Sequence, residues 1–250
     1  MRIRRVILWT ALGAVVAAVV AAALIYGMIC RVPAGYRPRY LTAEAQDEAM
    51  QQFVQHVVDF GNDAGEGRPF TWSITADQAN DYLGAIDAIA SLRAEEAAHV
   101  AAQMERAGFT GPAVGMGNGV LTLMIRSTRH EKIISADVAF DFDDGGDLTA
   151  RIAGVRVGAM PVPQGMLSEK LAEMRRWMQE QLAGAKDQPG RVGPVRVRDL
   201  AGILRQVLEM MDGRYVRPEL VWPLGKHRVL VRRIEITPGR LTLHCSPAAP

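Results

Sequence analysis

The alternation of apolar and polar positions divides the chain into an uncharged opening and a long patterned remainder. Val6 to Cys30, VILWTALGAVVAAVVAAALIYGMIC, carries no charge and is bracketed by Arg2, Arg4 and Arg5 before it and Arg31 after it. A helix rising about 1.5 Å per residue needs roughly 20 apolar residues to cross a bilayer core. The run therefore predicts an N-terminal transmembrane helix, with Trp9 and Tyr26 placed for the two interfaces. A cleavable signal has a shorter apolar region ending in small residues. Ala21-Ala22-Ala23 offers such an end, but the run continues through Leu24, Ile25 and Tyr26, which favours an uncleaved signal anchor. Met28 and Ile29 stand where a lipoprotein would have small residues before Cys30. A short basic tail ahead of a first apolar helix stays in the cytoplasm, which places the remainder outside it, at the inner membrane.

Beyond the anchor, Arg31 to Leu41 holds two prolines and a glycine and no periodicity, as a short tether does. Residues 42–250 then read as one extracytoplasmic domain. Thr42 caps a helix with Met50, Phe53, Val54, Val57 and Phe60 on one face. Phe70 to Ile74 alternates like a strand and runs into Thr75-Ala76-Asp77-Gln78, a capping box that starts a helix carrying Leu83, Ile86, Ile89 and Leu92. A further helical stretch ends at Gly108. The period then changes to two: Val120 to Arg126, Ile133 to Phe142 and Leu148 to Val157 form an antiparallel meander, with Asn118-Gly119 and Asp143 to Gly146 as turns. Met160 to Pro163 breaks it. Helices carrying Met166–Leu182 and Leu200–Met211 follow, and Val229 to Ile236 and Leu241 to Cys245 return to strand around Thr237 to Arg240. The fold class is α+β, a mostly antiparallel curved sheet packed with amphipathic helices.

Charge alters this picture little. The net formal charge is +2, which gives no footprint for nucleic acid. It is unevenly spread, acidic over residues 41–110 and basic over 191–240. A basic face suits anionic lipid or an acidic partner; arginines on the solvent face of strands give the same pattern. The two cysteines, Cys30 and Cys245, make neither a metal site nor an evident disulfide.

Enzymatic signatures do not emerge. The chain has no nucleophile elbow and no phosphate-binding loop. His130-Glu131 lacks the second histidine of a zinc helix, and the other histidines are scattered, as packing or surface residues are. Asp141 to Gly146 begins like a calcium loop, but Ile152 occupies the position that needs an acid. No catalytic residue, metal or cofactor is assigned. The richest remaining feature is the stripe Met166, Leu167, Leu171, Met174, Trp177 and Met178, a polarizable surface suited to an apolar ligand, or else ordinary core.

Phe70-Thr71-Trp72-Ser73-Ile74-Thr75-Ala76-Asp77-Gln78-Ala79-Asn80 and Val155-Arg156-Val157-Gly158-Ala159-Met160-Pro161-Val162-Pro163 resemble the strand-to-helix entry and the strand ending of YpmS-like bacterial envelope proteins, over roughly residues 5–185. Ala79 stands where a leucine is expected. The resemblance implies an anchor followed by a curved sheet against helices, a layout similar to tubular lipid-binding domains. Together these readings predict a membrane-anchored extracytoplasmic protein that binds a hydrophobic ligand or lipid without catalysis. The alternative is an adaptor subunit docking its helices on a partner in a cell-envelope complex.

Overall fold

The structure, a computed structural model, describes residues 19–92, 99–163, 213–221 and 228–248, with scattered positions between 165 and 210. After helical residues 19–30 the chain forms helix α1 (Ala43–Gly65), strand β1 (Phe70–Thr75), helices α2 (Ala76–Gly84), α3 (Ile86–Ala90) and α4 (Val100–Arg106), then strands β2 (Phe109–Gly117), β3 (Val120–Ser127), β4 (Ile133–Phe142), β5 (Leu148–Val157) and β6 (Met160–Pro161). Strands β7 (Arg191–Val192), β8 (Val195–Arg196), β9 (Glu219–Val221), β10 (Arg228–Thr237) and β11 (Arg240–Pro247) complete the order.

Among the described residues the architecture is α+β with antiparallel pairing, but the predicted single sheet is divided into two larger sheets and a small β7-β8 pair. Strands β2 to β6 form a five-stranded meander, and β1-β11-β10-β9 form a separate four-stranded sheet. The first expected strand leaves the meander because its partner is the last one: Phe70 pairs with Cys245 and Thr75 with Arg240. The two sheets meet at their hairpin tips, where Gly119 N donates to Ile236 O at 3.1 Å and Gly239 N to Met116 O at 3.0 Å. Asn118 (φ 52°) and Gly119 (φ 77°) both take the left-handed conformation that a tight two-residue hairpin requires.

Helix α1 starts at Thr42, whose hydroxyl accepts from Ala45 N. It lays Phe60 and Ala64, four residues apart and so on one face, onto Val229, Val231 and Cys245 of the four-stranded sheet. Phe70, Trp72 and Leu243 close this core, and Phe142 reaches it from the meander. Helix α2 begins with the capping box read from the sequence, Thr75 and Gln78 each satisfying the other's backbone. It is pinned to the meander by buried Asn80, which donates to Val114 O at 3.0 Å and accepts from Val114 N at 2.7 Å.

The transmembrane helix is the main correction. Residues 19–30 are helical. Among the described residues no helix is long and apolar enough to cross a membrane. The rest of the expected span, Val6 to Ala18, lies outside the described residues. The single-pass, signal-anchor description is set aside on this finding.

Candidate ligand cleft

The segment after the N-terminal helical residues is docked as a strap across one face of the meander. Ala159 N donates to Met28 O at 2.8 Å, and Lys132 Nζ donates to Cys30 Sγ at 2.9 Å while lying 5.5 Å from the centroid of the Tyr26 ring. Further along, the Tyr36 hydroxyl donates to Gly111 O at 2.8 Å, and the Tyr36 ring packs on buried Ala113, Met124 and Ile133. Burial pushes the Tyr36 phenol up to about 12. Arg39 then pairs with Asp77 at 2.9 Å and Asp81 at 3.2 Å on α2.

Two glycines permit this docking. At Gly158 (φ 62°) a Cβ would meet the backbone carbonyl oxygens of Ile29 and Met28. At Gly111 (φ 58°) it would meet the hydroxyls of Tyr36 at 2.6 Å and Tyr40 at 2.7 Å. Both positions need positive φ and a missing side chain together.

Between strap and sheet lies a cleft of about 710 Å³, within the size range of small-ligand sites. Residues 31–35 line one side, and the pleat of the meander supplies the other. Alternation puts Gly115 and Gly117 of β2, Val120, Thr122 and Met124 of β3, Asp137 of β4 and Arg156 of β5 on the same face. The glycines keep the β2 side low, so the apolar part of the lining comes from Val120, Met124, Val32 and Pro33.

One polar cluster sits in this lining. Arg156 grips Asp137 with two nitrogens, Nη1 to Oδ2 at 2.8 Å and Nη2 to Oδ1 at 2.9 Å. Thr122 Oγ1 donates to the same Oδ1 at 2.7 Å. Both carboxylate oxygens are thus engaged, and the bidentate geometry fixes the pair. Asp137 with Arg156 is neutral overall, so Arg31, for which no ion pair is found among the described residues, gives the cleft its net positive charge.

The six residues expected to form a groove, Met166, Leu167, Leu171, Met174, Trp177 and Met178, lie outside the described residues, as do Leu200, Ile203, Leu204, Val207, Leu208 and Met211. The cleft residues went unnoticed in the sequence. Their signal was a charged residue between apolar neighbours in each of two strands, Asp137 between Ala136 and Val138 and Arg156 between Val155 and Val157. Among the described residues no group of three or more His, Cys, Asp or Glu could hold a metal. His56 is occupied structurally: its Nδ1 faces the Tyr82 hydroxyl at 3.2 Å, its Nε2 faces Ser73 O at 3.1 Å, and its ring lies 4.8 Å from that of Trp72.

Compared with protein-family models, with curated proteins and with solved structures, the chain has no match in any of the three. The resemblance to YpmS-like envelope proteins is carried by its sequence motifs alone.

Proposed function

We propose that the protein is a non-catalytic binding protein that holds an amphiphile in the cleft between its strap and the meander. The ligand would lay its apolar body along Val120, Met124 and Val32 and turn an anionic or hydrogen-bonding end towards Arg31 and the Asp137–Arg156 pair. The observation that carries this reading is the composition of the cleft: apolar walls, one internally neutralised ion pair and one cation without a partner among the described residues. Such a site recognises a charged end without stripping water from an unpaired buried charge. Binding is favoured over catalysis because Asp137, the carboxylate in the lining, has both oxygens committed to Arg156 and Thr122. A general base needs a free lone pair aimed at substrate.

The test is titration of the full chain with a fluorescent long-chain carboxylate. Saturable binding near one equivalent is expected. It should weaken about tenfold, or about 1.4 kcal/mol, in Arg31→Glu, and vanish in Val120→Trp, which fills the cleft. Unchanged binding in both variants, each with a native thermal transition, would refute the cleft as the site.

A further inference from the structure

A second surface, which adjoins the cleft at Arg31, has no cover among the described residues. Residues 19–28 are exposed around the whole circumference of their helix, with Val19, Leu24 and Tyr26 each more than 60% exposed (63%, 65% and 67%). A helix that is apolar on every side belongs in apolar surroundings. Its far end is not free to choose them, because Met28 O, Cys30 and Tyr26 fasten it to the β5–β6 turn and the β3–β4 loop.

The β3–β4 loop reaches the base of the apolar segment through Lys132, and Arg31 follows Cys30 directly, so a collar of charge begins there. The loop carries two permanent cations, Arg129 and Lys132, against Glu131 as its one acid. Lys132 is held in the collar, against the helix end, by Cys30 and the Tyr26 ring. Apolar surface, then an aromatic ring, then cations is the order of a lipid interface: acyl chains, headgroup boundary, anionic headgroups.

We infer that this end of the molecule docks on an anionic lipid surface, with the apolar helical residues entering the acyl boundary and Arg31, Arg129 and Lys132 meeting the headgroups. The collar is what selects lipid over a second copy of the chain, since an apolar seam alone would need no cations at its end.

The experiment is co-sedimentation of the full chain with phosphatidylcholine vesicles, with and without a quarter of phosphatidylglycerol. Binding to the anionic vesicles is expected, at least about tenfold tighter than to the neutral ones and weakened by high salt. Arg129→Glu with Lys132→Glu should remove that preference, and Leu24→Asp with Ile25→Asp should remove the binding. All four residues lie on the surface or at its edge, and an unchanged thermal transition checks the fold. Equal affinity for both vesicle types, or binding indifferent to the charge reversal, would overturn the inference. So would a failure to bind accompanied by concentration-dependent dimers that Leu24→Asp with Ile25→Asp abolishes, which would assign the surface to a second copy.

Discussion

Asn80 shows how much a single side chain carries here. It is buried, and both ends of its amide close on the backbone of Val114, so its removal strands a donor and an acceptor on β2. Each unsatisfied buried group costs about 1–3 kcal/mol. Asn80→Ala is therefore expected to destabilise by roughly 2–4 kcal/mol in urea unfolding, and a loss below half a kcal/mol would show that α2 is not pinned there. The cysteines are a matched contrast. The hydrogen bond from Lys132 lowers the Cys30 thiol below its ordinary value, whereas burial pushes Cys245 up to about 11. Near pH 8, iodoacetamide should modify Cys30 in the native chain, more slowly in Lys132→Met, and should reach Cys245 only on unfolding. Equal rates at the two thiols would contradict both environments. Cys245 also sets an alkaline limit. Its folded value lies above the ordinary 9.0, so the unfolded chain ionises first. The stability it confers is complete below about pH 9 and is lost as pH rises towards about 11. The urea midpoint should fall through that window, and Cys245→Ala should flatten the fall.

At the scale of elements, the structure divides into what local chemistry dictates and what distant pairing decides. Thr75 and Gln78 mark the start of α2, and Asn118-Gly119 marks the hairpin between β2 and β3; both were legible because each motif completes its own hydrogen bonds or dihedral requirement within four residues. The meander was legible for the same reason, its neighbours in sequence being neighbours in space. The pairing of β1 with β11 was not, since nothing in Phe70–Thr75 points to a partner at Arg240–Pro247. The cleft stayed hidden because Thr122, Asp137 and Arg156 come together only once three strands adopt their register. The strap was read as a tether in part because two of its anchoring points, Gly111 O and Ala159 N, are backbone groups that leave no mark in the sequence. Gly158→Ala puts a methyl group against the Met28 and Ile29 carbonyls at a positive φ, and should release the helical end while the sheet stays folded. Faster hydrogen exchange confined to Ala159 and the 28–36 segment is the expected readout. Loss of the whole thermal transition instead would mean that strap and sheet fold as one unit.

For the molecule as a whole, the two larger antiparallel sheets join at their hairpin tips, and among the described residues a strap partly covers one face of the meander and so creates the cleft. The apolar helical residues precede the strap directly, so a lipid surface at one end would lie beside a site fitted to an amphiphile. The most direct measurement is photocrosslinking of the full chain with a diazirine-bearing long-chain carboxylate, followed by peptide mapping of the adducts. The label is expected on Val32 to Gly35 and on Val120 or Met124, with loss of that label in Val120→Trp. Adducts concentrated on Met166 to Met178, with none on the strap or on β3, would contradict it and return the binding surface to the methionine stripe.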